Sequence, residues 1–270
     1  MIFIDSHVHI HPCFQLDRFL DAAYSNFRSA AWTKASGSHW QAIVLLTESG
    51  ATNVFQKLSD NETTSLNTCN AWQFEKTSED MVVKAVGPDS KQMLISAGRQ
   101  IVTAERLEVL CLGSRIHVED KQPIRQTIEY VLNAGALAVL PWGPGKWFGG
   151  RGQVVQDMLK YFGANLWLGD NGNRPVFWTT PKIFELAVSA GHKILPGSDP
   201  LPFPSENGRA GCFGFMMDGA ISGSHPLRDV MSRLRQADTR LEPFGRLESC
   251  RRFFRNQLTM QLINKRLKHV

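Results

Sequence analysis

Short apolar runs alternate with amphipathic stretches along this chain, and that alternation limits the folds open to it. Residues 2–4, 40–47 (WQAIVLLT), 107–112, 137–140, 166–168 and 193–195 read as buried strands. Between them, 16–31, 53–58, 123–133, 152–162, 181–190 and 226–235 carry apolar residues at helical spacing. Pro123 suits a first helical turn, while Gly135 and Gly191 suit helix stops. Repeated strand–helix units predict a parallel sheet with helices outside it. About seven such units predict a distorted (β/α)7 TIM-like barrel, an α/β fold. Residues 71–96 break the rhythm: WQFEKT and MVVKAV, then MLIS after Gly87-Pro88-Asp89, predict a small β-hairpin or meander inserted in the barrel. No repeat or linker divides the chain, so residues 1–270 are expected to form a single domain.

Composition excludes several classes. Hydrophobic residues make up 43% and charged residues 20%, the balance of a globular protein with a substantial core. No apolar run approaches the roughly 20 residues of a membrane helix, so no membrane partner is expected. Five cysteines without a C-x-x-C pair fit a reducing, cytoplasmic setting rather than a disulfide framework or zinc ribbon. The net charge of +5 gathers in the last forty residues, from Arg228 to Lys268. Nucleic acid is not an expected partner, because no binding motif or aromatic interleaving accompanies those charges. They are read as the solvated face of amphipathic helices.

Chemistry in barrels of this kind collects at the C-terminal ends of the strands. The first apolar run ends in Asp5-Ser6-His7-Val8-His9. Residues two apart on a strand share a face, so Asp5, His7 and His9 converge, and paired imidazoles suit a metal better than a core. Further strand ends carry Glu48-Ser49, Pro141-Trp142-Gly143 with Lys146, Asp170-Asn171 with Asn173, and Asp199. His7, His9 and Asp199 supply the three ligands of a mononuclear site, provided the first and last strands adjoin; Glu48 and Asp170 are further candidate ligands. Lys146, Arg151, Arg174 and Arg209 fall in loops on the same face and predict a cationic mouth for phosphate or carboxylate. The glycines of WFGGRG, before a helix, add backbone N–H groups that suit an anion. The glycine-bearing loop 200–219 is read as a mobile lid.

The order of these motifs resembles the PHP (polymerase and histidinol phosphatase) family of metal-dependent barrel hydrolases, and more distantly the amidohydrolases. IDSHVH, AIVLLTES, SAGRQIVTAERLEVLCLG, AVLPWGPGKW and LPGSDPL follow the family's succession of D-x-H-x-H, strand-two, glutamate, histidine and G-S-D-x-H segments, over residues 2 to 215. The ligand set is degenerate. Glu48-Ser49 stands for the Asp-His of strand two, Gln100 for the bridging glutamate, and Leu201 for the last histidine. The resemblance implies a divalent metal (zinc, manganese or iron, one ion rather than a cluster) and hydrolysis of a phosphorylated or other anionic small molecule. In that reading Asp199 and His7 are catalytic. Two alternatives stand beside it: an amidohydrolase-like enzyme cleaving C–N or C–O bonds, and a non-catalytic barrel that binds a ligand or partner.

Overall fold

The computed structural model describes residues 1–35, 39–63, 66 and 70–267. Cys69, Lys268 and His269 lie outside the described residues. Within them the chain is a mixed α/β fold of thirteen strands and seven helices. One sheet contains β1 (Ile2–Val8), β2 (Gln41–Leu46), β4 (Gln73–Lys76), β5 (Val82–Val86), β6 (Gln92–Ser96), β12 (Phe213–Met217) and β13 (Glu242–Gly245), in the order β13-β12-β1-β2-β6-β5-β4. The other contains β3 (Glu48–Ser49), β7 (Gly98–Val102), β8 (Glu108–Leu112), β9 (Leu137–Pro141), β10 (Leu166–Asn171) and β11 (Ile194–Gly197), in the order β11-β10-β9-β8-β7-β3.

The two sheets are linked at both sides. Across Thr47 the chain passes from β2 to β3, and across Ala97 from β6 to β7, so both chain segments leave one sheet and enter the other. On the opposite side β11 lies against β1 without a ladder. The Ser6 hydroxyl donates to the carbonyls of Leu195 and Pro196, at 3.3 and 2.8 Å, and the Asp199 N–H donates to the His7 carbonyl at 2.8 Å. The described strands therefore adjoin where the site hypothesis needs them to, yet they do not close into one hydrogen-bonded cylinder. Antiparallel ladders are also more numerous than the strand–helix rhythm predicts: β12 runs antiparallel to β1, and β8 antiparallel to both β7 and β9.

Three apolar layers hold these sheets. Ile2, Ile4, Ile43, Leu45, Leu110, Val139, Leu195 and Phe215 fill the space between the sheets. Both faces of β1 are covered, which is why its first half, Ile2-Phe3-Ile4, is continuously apolar rather than alternating. Helix α1 (Leu16–Ala35) packs one stripe, Leu16, Phe19, Leu20, Ala23 and Phe27, onto the outside of the first sheet. Helices α3 (Ile124–Asn133), α4 (Gly150–Phe162) and α5 (Lys182–Ser189) cover the second sheet through Ile128, Val155 and Phe184. The short α2 (Val54–Ser59) lies beside the first sheet, and α6 (Pro226–Arg235) joins the inner layer through Leu227, Val230 and Leu234.

Two expectations are corrected. Residues 71–96 form the expected meander, of three antiparallel strands, but its last strand pairs in parallel with β2, so it extends the sheet instead of standing out as an insertion. The segment read as a mobile lid contains β12, whose five residues are all buried. Gly214 allows that strand to approach β1: a Cβ there would lie 2.2 Å from the Ile4 carbonyl oxygen. Its glycines serve close packing rather than motion.

Candidate metal centre

The end of β1 sends its alternating side chains to two destinations. Its register with β2 shifts between Asp5 and Val8. Asp5 turns away from the histidines into a fully buried nest, accepting from the Ser198 N–H (2.8 Å), the Ser198 hydroxyl (2.5 Å), the Gly211 N–H (2.7 Å) and the His7 N–H (3.3 Å). Burial pushes its carboxyl up to about 6 against the pull of those donors. Asp5 thus ties β1 to the segments carrying Ser198 and Gly211, and it does not share a face with the histidines.

His7 and His9 point the other way, and Asp199 meets them from the turn after β11. The Nε2 atoms of His7 and His9 are 3.1 Å apart, and Asp199 Oδ1 lies 3.5 Å from the first and 3.6 Å from the second. Three donors bonded tetrahedrally to one cation at about 2.1 Å stand roughly 3.4 Å apart. The three side chains therefore fit a zinc-sized ion. Among the described residues this is the one cluster of histidine, cysteine, aspartate and glutamate side chains whose ligand atoms gather in this way. Burial, reinforced by the His7 charge, pushes the His9 imidazole down to about 3, so it is neutral at physiological pH, the form a metal requires. Burial alone would raise the Asp199 carboxyl, but His7, His9, Asn171 and Lys146 together hold it below the ordinary carboxylate range.

Backbone geometry sets this arrangement. Asp199 has a left-handed φ of +46°, uncommon for a residue with a side chain. Gly197 lets β11 approach the backbone of β1, since a Cβ there would lie 2.5 Å from both the backbone nitrogen and the Cβ of His7. The Asn173 amide donates to the Asp199 carbonyl at 2.6 Å. The Asn171 amide donates to Asp199 Oδ2 at 2.5 Å, which leaves Oδ1 to face the histidines. Asn171→Ala is expected to weaken divalent-metal affinity about 10- to 100-fold, the usual cost of losing a group that orients a ligand. Titration against a competing chelator measures it, and unchanged affinity would refute this role.

The remaining sequence candidates fall elsewhere. Gln100 does reach the pair, its Oε1 standing 3.1 Å from His7 Nε2. Glu48 accepts from the Phe55 N–H at 2.9 Å, next to Arg99 and Arg115, and stays outside the ligand cluster. Asp170 is also outside it and binds Arg174 through both oxygens, at 2.9 and 2.7 Å. Arg209 lies between Glu206 and Glu248, at 3.6 and 3.4 Å, and the Arg151 guanidinium donates to the Gly145 carbonyl at 2.7 Å. The four-residue cationic mouth is corrected accordingly: carboxylates pair with three of its members, Arg174, Arg209 and Lys146. The partner of Lys146 is Glu108, yet the lysine charge still acts on Asp199. Gly143 makes room for it, since a Cβ there would meet Lys146 Cδ at 2.7 Å.

Sequence reasoning missed His11, whose ring stacks on His9 at 5.4 Å between centroids and whose Nε2 meets the Pro200 carbonyl at 2.9 Å. The continued alternation His7-x-His9-x-His11 was the available signal. Asn171 and Asn173 were visible as polar strand-end residues, without a sign that they would hold Asp199.

No protein-family model matches the chain, and no curated protein sequence does. Among solved structures it is similar to the crystal structure of PsfC from Pseudomonas syringae PB-5123, with a TM-score of 0.57 and 13% identity, over 97% of this chain and 98% of that one. At that identity the likeness is one of fold. A mixed α/β protein with a His7–His9–Asp199 group able to hold a metal ion is what fold and site together define.

Proposed function

We propose that this chain is a metal-dependent hydrolase holding one divalent cation on His7, His9 and Asp199, with a small molecule bearing an anionic group as substrate. The observation that carries this reading is the meeting of three ligand atoms, from two separate strand ends, at spacings suited to one ion. Imidazole and carboxylate donors suit zinc, manganese or iron. Two sheets wrapped around a shared apolar interior, with β1 against β11, also suit a distorted barrel of the kind the PHP resemblance implies.

When bound, such an ion supplies Lewis acidity toward water and toward the bond to be cleaved. The protein's own residues do the rest. His7 and His9 present nitrogen lone pairs from a buried wall. Asp199 has one oxygen held by Asn171, so its remaining oxygen either binds the cation or accepts the proton of an attacking water. Gln100 beside His7 brings an amide where the family has a carboxylate; lacking charge, it cannot offset a second dication. A single ion is the stoichiometry that follows.

Lys146, although paired with Glu108, is the cation whose charge reaches Asp199, and in this reading it orients an anionic substrate. Lys146→Ala is expected to raise KM for such a substrate about tenfold or more through the loss of a charge-assisted hydrogen bond, with little change for neutral substrates. The pairing of Arg174 and Arg209 with carboxylates favours a second reading, in which the substrate is neutral and the bond is C–N or C–O. Elemental analysis of purified protein, followed by turnover assays on phosphomonoesters, lactams and lactones, tests both readings. Metal without turnover on any of them would favour the non-catalytic barrel, and absence of metal affinity would remove the hydrolase reading altogether.

A further inference from the structure

The C-terminal helix α7 (Cys250–Leu267) presents an apolar stripe that nothing in the described fold covers. Phe254, Leu258 and Leu262, four residues apart, are 56, 62 and 62% exposed. Val176 and Phe177 extend the stripe from the loop after β10, at 59 and 51% exposed, with the Phe177 ring stacked on Phe254 at 5.9 Å and 11°. This loop is fixed in place: the Val176 N–H donates to the Glu248 carbonyl and the Glu248 N–H to the Arg174 carbonyl, both at 2.9 Å. Single exposed apolar residues are ordinary on a protein surface; five in one preformed patch call for a partner.

The charges around the patch narrow the choice of partner. Arg251 and Arg255, both exposed, each sit one turn before an apolar member of the stripe, Phe254 and Leu258. On the inner side Arg252 is already paired with Glu206 and Glu248. From Ser249 to Val270 the sequence contains no aspartate or glutamate. A second copy docking through this patch would bring arginines against arginines. The stripe is carried on a helix, a convex ridge, and a fluid bilayer conforms to such a ridge where a protein partner would need a matching groove. We infer that α7 and Val176–Phe177 form a peripheral docking surface for an anionic lipid bilayer, with the aromatic and leucine side chains entering the headgroup boundary and the arginines on lipid phosphates. No helix among the described residues is long and apolar enough to cross a membrane, so the attachment is to one leaflet.

Flotation of the full-length protein with vesicles tests this. Binding is expected to vesicles of mixed phosphatidylcholine and phosphatidylserine, to weaken in high salt, and to be lost on pure phosphatidylcholine. The triple variant Phe254→Ser, Leu258→Ser, Leu262→Ser changes exposed positions only and is expected to bind about tenfold more weakly or less. Arg251→Glu with Arg255→Glu should lose binding too, an independent reading through charge. Binding that ignores lipid charge would overturn the inference, as would no binding to any vesicle. So would a wild-type dimer that the triple variant dissociates, or a stoichiometric complex with an acidic protein in place of vesicle binding.

Discussion

Replacing Asp199 with alanine is expected to lower divalent-metal affinity by on the order of a thousandfold or more, leaving the purified protein essentially metal-free. Asp199 is the one anionic side chain in the ligand cluster. His9 is neutral, so without Asp199 a dication would enter a buried pocket with little charge to offset its own. His7→Ala should have a similar effect, because it removes a donor that stands 3.1 Å from His9 and 3.5 Å from Asp199. Asp199→Asn separates charge from shape: the amide oxygen keeps a weak donor in position, so its affinity should fall between wild type and Asp199→Ala. Metal content by mass spectrometry and affinity by chelator competition measure all three. Wild-type metal content in Asp199→Ala would sink the site. Two or three equivalents in the wild-type pocket would instead remove the argument from Gln100.

Residues whose role depends on near neighbours were readable in the sequence; those whose role depends on distant partners were not. The strand–helix rhythm identified α1 through α6 because each buries one periodic stripe, and the His7-x-His9 spacing marks a strand end whatever lies opposite. β12 was hidden because Gly211 and Gly214 read as loop, and only the carbonyl of Ile4 across the sheet shows why a glycine stands there. The arginines were misread for a related reason. Arg174 has Asp170 four residues before it, a pairing visible in the sequence, but Arg209 also needs Glu248, brought near by the start of α7. Asn171 is one polar strand-end residue among several until Asp199, from a different strand end, is placed against its amide.

Asp5 offers the largest expected effect on stability. It lies in the middle of β1, fully buried, and accepts four hydrogen bonds from three separate parts of the chain. Asp5→Ala would leave the Ser198 N–H, the Ser198 hydroxyl and the Gly211 N–H without an acceptor in a place closed to water. Each buried orphan costs about 1–3 kcal/mol, and partial relaxation keeps the sum at roughly 3–5 kcal/mol. The carboxylate itself is costly to bury, as its raised pKa of about 6 records, and that offset is already included in the lower end of the range. Asp5→Asn tests whether the donors or the volume matter. Its amide keeps the size and one acceptor but turns N–H groups toward the Gly211 N–H, so it should lose stability too, by less than the alanine variant. Urea denaturation followed by fluorescence reads both, and an alanine variant within about 1 kcal/mol of wild type would show that Asp5 is not what joins β1 to the Ser198 and Gly211 segments.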